Sequence, residues 1–133
     1  MAQESGQLTV LIIDDEANAR KVIKLLLERE GYRVLTAANG EEGLILAKVE
    51  RPAVVLLDLM MPKMNGHETL KRMREDQDTN EVPVIVVSAK VGEGDIAASF
   101  RLGALFHVEK PYETQDLLQK IKVAVTRTGG ESA

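Results

Sequence analysis

Five side chains in this 133-residue sequence stand where an apolar run breaks off: Asp14 and Asp15 after 8–13, Asp58 after 53–57, Ser88 after 84–87 and Lys110 just beyond 104–108. Carboxylates that converge repel one another; two unit charges ~4 Å apart cost about 4 kcal/mol at an effective dielectric of 20. Three of them together need a cation in between. An oxygen-only site without nitrogen or sulfur ligands suits Mg2+, which keeps several waters and shares phosphate oxygens readily. Metal, lysine and hydroxyl together point to phosphoryl chemistry, in which cations neutralise the equatorial oxygens while a carboxylate attacks in line. Asp58, alone at the end of its run, is the candidate nucleophile.

That chemistry requires elements that bring the five together. The five apolar residues before Asp58 fit a strand covered on both faces, because a half-solvated strand would alternate. The run 8–13 predicts a first strand ending in an acidic loop. A helix follows, with Ala19, Val22, Ile23, Leu26 and Leu27 at spacings of three and four and Gly31 as its C-cap glycine. Residues 32–37 read as an edge strand, 41–49 as a second helix and, after Pro62 and Gly66, 67–75 as a third. A polar loop over 76–81 precedes Pro83, which is tolerated at the start of the strand 84–87. Gly92 and Gly94 loosen the entry to a fourth helix whose weak stripe of Ile96, Ala97 and Phe100 predicts a light hold on the core. Gly103 ends it. Residues 104–108 give a fifth strand and 113–126 a last helix, with Leu117, Leu118, Ile121 and Val125 inward. The ends, 1–7 and 127–133, are expected to be flexible, the latter equally the start of a linker in a longer protein.

Strands alternating with helices specify an α/β fold around a parallel five-stranded sheet with helices on both faces. Right-handed crossovers leave few strand orders, and 2-1-3-4-5, the flavodoxin-like, doubly wound one, opens a ligand crevice at the carboxyl ends of strands 1 and 3. Asp14, Asp15 and Asp58 fall in that crevice, Ser88 beside it and Lys110 at its rim.

Composition narrows the alternatives. The length is that of one domain. There are no cysteines and only two histidines, His67 and His107, so disulfides and thiolate zinc sites are excluded. The net charge of −4, with acids and bases interspersed, gives no footprint for nucleic acid or anionic lipid. No run approaches the ~20 apolar residues of a spanning helix, and the N-terminus lacks a signal pattern, so a cytoplasmic location is expected. Taken singly, Asp14 or Asp15 could cap a helix, Ser88 could form a turn, Lys110 could be solvated, Met60, Met61 and Met64 could fill the core, and His67 could be a solvated helix residue.

Four segments together resemble the receiver domain of response regulators, the phosphoacceptor half of two-component signalling: Ile-Ile-Asp-Asp-Glu, Leu-Leu-Asp-Leu-Met-Met-Pro-Lys-Met-Asn-Gly, Val-Val-Ser-Ala-Lys and Val-Glu-Lys-Pro-Tyr. Each is weak alone; their order on successive elements is specific. The resemblance covers 8–126 and is to a single-domain, chemotaxis-type receiver. It implies that Asp58 accepts phosphate from the phosphohistidine of a sensor histidine kinase or phosphotransfer protein. It implies that Mg2+ is held by Asp14, Asp15, Asp58 and the Met60 backbone carbonyl, that Ser88 and Lys110 contact the phosphoryl group, and that Ala89 stays small to leave access. The Lys110-Pro111 peptide is expected to be cis. Such a domain is not an enzyme, although it assists its own phosphorylation and dephosphorylation. It is expected to be a monomer or a weak, phosphorylation-dependent dimer that docks a downstream protein through its fourth helix, fifth strand and fifth helix.

One position departs from the pattern. Where the family places an aromatic residue three before the lysine, as a partner of the serine in switching, this chain has His107, which is smaller, polar and titratable near neutrality. Met60 and Lys90 flank the attack path and are expected to tune the phosphate lifetime. A degenerate receiver serving only as an interaction module is the alternative, but it is expected to lack one of the acids, the hydroxyl or the lysine. A flavin binder or phosphatase of similar architecture needs a phosphate-cradling loop after the first strand, or a second acid at the position of Met60.

Overall fold

The computed structural model describes residues 7–89 and 92–132, with side chains as far as Thr126. Residues 1–6, Lys90, Val91 and the side chains beyond 126 lie outside it, and with them the expectations placed on the N-terminal end, on Lys90 and on the tail side chains. The order is β1 (Thr9–Ile13), α1 (Ala17–Arg29), β2 (Arg33–Ala37), α2 (Gly40–Glu50), β3 (Val54–Leu57), α3 (Gly66–Glu75), β4 (Val84–Ser88), α4 (Glu93–Arg101), β5 (Phe106–Glu109) and α5 (Thr114–Ser132). The five strands pair in parallel in the order β2-β1-β3-β4-β5, the flavodoxin-like fold expected from the sequence.

Alternate residues of each central strand feed opposite faces of the sheet. Val10, Ile12, Val54, Leu56, Ile85 and Val87 pack with Ile23 and Leu27 of α1 and with Leu117, Ile121 and Val125 of α5. Leu11, Ile13, Val55, Leu57, Val84 and Val86 pack on the other face with Ala47 of α2 and Leu70 and Met73 of α3. Each such side chain, fully buried, contributes about 1.5–3 kcal/mol, which makes the three central strands a rigid base for whatever projects from their ends.

Several local expectations need correction. Val22 is 52% exposed rather than inward, because the buried stripe of α1 runs through Ile23 and Leu27 and leaves Val22 on its flank. Ala97 and Phe100 are exposed and only Ile96 of that stripe is half-buried; Ser99 is the one buried residue of α4. Met61 is buried and Met64 half-buried, but Met60 is 60% exposed and is not core filler. The helix α5 continues to Ser132, past the expected end at Thr126, since Gly129 and Gly130 weaken a helix without forbidding it.

Candidate functional site

Register places the acids. Ile13 pairs with Leu57 across β1 and β3, and the Asp58 N–H donates to the Ile13 carbonyl at 3.0 Å, so the chain carries Asp14 and Asp58 out of the sheet side by side. On the far side of β3, Gly66 opens α3 so close to the strand end that a Cβ there would lie 2.5 Å from the Asp58 carbonyl oxygen and from Leu59 Cα. Only glycine lets α3 pack against the loop that carries Asp58. The Asn65 side chain accepts from the Glu68 N–H at 2.9 Å and caps that helix.

Carboxylate oxygens of Asp14, Asp15 and Asp58 lie within 4.8 Å of one another. Asp14 and Asp58 are 3% and 7% exposed, whereas Asp15 is open to solvent. Asp58 Oδ1 accepts from the Ser88 hydroxyl at 2.8 Å and from the Met60 N–H at 2.9 Å. Lys110 Nζ donates to Asp14 Oδ2 at 2.7 Å and stands 3.9 Å from Asp58 Oδ2. Lys110 is brought there by its own N–H, which donates to the Ser88 carbonyl at 2.7 Å. The Lys110–Pro111 peptide is cis. All five residues singled out by chemistry therefore meet in one crevice, with the Met60 N–H at its edge.

Burial raises the pKa of Asp58 above the ordinary carboxylate range; the Met60 and Ser88 hydrogen bonds and the Lys110 charge oppose the rise, and the Asp14 charge adds to it. For Lys110 burial works against the charged form, but the Asp14 hydrogen bond and the charges of Asp14, Asp58 and Glu16 outweigh it and the pKa rises. The two directions are consistent, because Lys110 spends its closest contact on Asp14 and leaves Asp58 less compensated. Three carboxylates and no nitrogen or sulfur donor form a hard-cation donor set that fits Mg2+.

His107 lies in β5 opposite Val86. It is half-buried, and its Nε2 is buried with no hydrogen-bond partner among the described residues. Burial lowers its pKa, Glu109 opposes the fall and His67 adds to it. His67 is not simply solvated: its Nε2–H donates to the Asp95 carbonyl of α4 at 3.0 Å. A cavity of about 430 Å³ between the β3–α3 loop and α4 is lined by Leu59, Met60, Met61, Asn65, His67 and Asp95.

Two arginines escaped the sequence reading. Arg20, expected among the charged residues outside the apolar stripe of α1, donates to the Asp14 carbonyl at 2.7 Å. Its signal was readable: a cation in the first turn of a helix opposes the macrodipole. Arg74 donates to the carbonyls of Leu102, Gly103, Asn80 and Val82 at 2.9–3.1 Å. Nothing in the spacing of α3 announces it.

The profile of the response regulator receiver domain matches residues 10–122. Protein PilH of Pseudomonas aeruginosa is 36% identical over 116 residues, 87% of this chain and 96% of PilH. The phosphate regulon transcriptional regulatory protein PhoB of the same organism is 34% identical over 121 residues, 91% of this chain and 53% of PhoB. The chain spans about half the length of several of the curated relatives it matches, PhoB among them. Among solved structures, a CheY-like receiver domain protein of Methanospirillum hungatei superposes with a TM-score of 0.88 at 30% identity, covering 95% of this chain and 99% of that one. Vibrio cholerae chemotaxis protein CheY4 does so with 0.84 at 28%, covering 90% and 99%. With the acid crevice, the strand order and these matches together, the chain belongs to the response regulator receiver domain family.

Proposed function

We propose that Asp58 is the phosphoacceptor and that its phosphoryl group comes from a phosphohistidine of a sensor histidine kinase or phosphotransfer protein in the cytoplasm. The observation that carries the reading is the unequal treatment of the two Asp58 oxygens. Oδ1 is held by the Ser88 hydroxyl and the Met60 N–H, while Oδ2 accepts no hydrogen bond among the described residues and has Lys110 at 3.9 Å. Oδ2 is the oxygen free to attack phosphorus in line; the new O–P bond forms as the P–N bond breaks, and the imidazole nitrogen leaves with the electron pair. Asp14, Asp15, Asp58 and the Met60 carbonyl would hold Mg2+, which when bound neutralises phosphoryl oxygens and keeps Asp58 ionised against its raised pKa. Lys110 supplies a second cation to the transferred group, Ser88 transfers its hydroxyl hydrogen bond to a phosphoryl oxygen, and the small Ala89 leaves the approach open. Met60, exposed at the crevice mouth, is placed to influence water access and so phosphate lifetime.

Phosphorylation adds about −1.5 to −2 charge and acts by favouring one of two existing arrangements. Ser88, His107 and Lys110 join the site to the α4–β5–α5 face, where α4 buries only Ser99 and presents Phe100 at 47% exposure. That face is the docking surface for a downstream protein. The test is incubation with Mg2+ and a small-molecule phosphodonor, read by intact mass. One base-labile phosphate per chain is expected, absent from Asp58→Asn; no adduct, or one that persists in that variant, would sink the assignment.

A further inference from the structure

We propose that Arg20 is a positioning residue for the cation site, acting through the peptide that joins Asp14 to Asp15. The proposal rests on the reading that the three acids bind Mg2+. Asp14 is fixed at every polar atom: its N–H donates to Ala37 O at 3.1 Å, Oδ1 accepts from the Glu16 N–H at 2.9 Å, Oδ2 accepts from Lys110 at 2.7 Å, and its carbonyl accepts from Arg20 Nη1 at 2.7 Å. Asp15 is different. It is exposed, and its carboxylate accepts no hydrogen bond or ion pair from any described residue. The backbone is therefore what limits where it can reach, and the peptide unit preceding it is planar, so holding the Asp14 oxygen holds the plane from which Asp15 springs. Arg20 grips that oxygen from one side while the Glu16 N–H closes the turn on the other.

A merely solvated cation is a poor explanation of Arg20. It occupies the first turn of α1, where the dipole favours anions and where no acidic residue stands. Its guanidinium also hydrogen-bonds the backbone of one of the three acids, so its charge opposes a divalent cation bound among them. Two electrostatic costs are met at one position, and the short, charge-assisted hydrogen bond to the Asp14 carbonyl is what the position gains. Positioning and charge thus predict opposite effects on metal affinity.

That opposition makes the test sharp. The whole chain is titrated with Mg2+ while the amide signals of Asp15 and Met60 are followed by NMR, for the natural sequence, Arg20→Leu and Arg20→Lys. Removing the anchor in Arg20→Leu is expected to weaken Mg2+ binding roughly tenfold, the lower end of what loss of a supporting hydrogen bond costs a metal site, and to raise fast-timescale motion at Asp15. Arg20→Lys, which keeps one donor, is expected to restore most of the affinity. Unchanged or tighter binding in Arg20→Leu overturns the proposal, since that is the result of charge removal alone. If Arg20→Leu loses amide dispersion, Arg20→Met, which likewise has no donor for the Asp14 carbonyl, carries the test with the same two outcomes. Failure of the natural chain to bind Mg2+ at all would overturn the metal reading itself, a result distinct from equal affinities in chain and variant.

Discussion

Asp58 is ionised at neutral pH only against opposition. Burial raises its pKa, Asp14 adds to the rise, and the hydrogen bonds from Met60 and Ser88 with the charge of Lys110 do not cancel it. A folded-state pKa above the unfolded one means that the folded chain holds the proton more tightly. The stability gained from that proton is complete below the unfolded pKa and is lost as pH rises through the folded one. At neutral pH without Mg2+ the charged carboxylate is thus a local cost. Asp58→Asn keeps the shape and removes the charge, and is expected to stabilise the Mg2+-free protein by about 1 kcal/mol, or roughly 3–5 °C in Tm for a chain of this size. The advantage should shrink as pH falls through the carboxylate range, where Asp58 becomes neutral by itself. Thermal unfolding at pH 7 and at pH 4 in chelator checks both statements; an equal or lower Tm for Asp58→Asn at pH 7 contradicts them.

Among the elements, α4 is held unevenly. At its C-terminal end Arg74 of α3 reaches across to the carbonyls of Leu102 and Gly103 and also ties Asn80 and Val82, which lead into β4. Burial lowers the pKa of this guanidinium, and it pairs with no carboxylate among the described residues. At the N-terminal end Gly92 provides no side-chain cap, and the His67 bond to the Asp95 carbonyl is, among the described residues, the side-chain hydrogen bond that reaches the first turn from another element. Arg74→Ala is therefore expected to cost about 2 kcal/mol, since it removes four hydrogen bonds at once, those to Leu102 and Val82 part-buried. Arg74→Lys should recover little, because an ammonium cannot fork to four acceptors. Urea unfolding measures the cost, and hydrogen exchange should place the loosening in α4 before the central strands; protection lost evenly across the sheet would count against the clamp. The light hold of α4 was legible in Gly92, Gly94 and a poor stripe. The arm that fixes its far end was not, because periodicity reports which face of a helix is apolar and says nothing of where a long polar side chain reaches.

At the scale of the whole molecule, the crevice was legible because strands announce their own ends: an apolar run that stops at a carboxylate gives both the element and the position of the acid on it. Parallel order then brings loops distant in sequence together, which is how Asp14 meets Lys110 across 96 residues. What ties those loops down needed side chains and close packing in view: the sequence shows a cation out of place in the first turn of α1 but not that Arg20 reaches the Asp14 carbonyl, nor how closely Gly66 meets Asp58 and Leu59. The same convergence would make a cation bound there a staple across the fold, since the three acids hang from β1 and β3 and the lysine from β5. A cation that binds the folded chain and has no assembled site in the unfolded one stabilises all of it by RT ln(1 + [L]/Kd), about 1.4 kcal/mol at ten times Kd. Mg2+ is therefore expected to raise Tm in a concentration-dependent way while leaving a single cooperative transition. Asp14→Asn and Asp15→Asn should each flatten that dependence, whereas a monovalent chloride at matched ionic strength should not reproduce it. A Tm indifferent to Mg2+ in the natural sequence, or a rise kept in both variants, would mean that the three carboxylates are not where the cation sits.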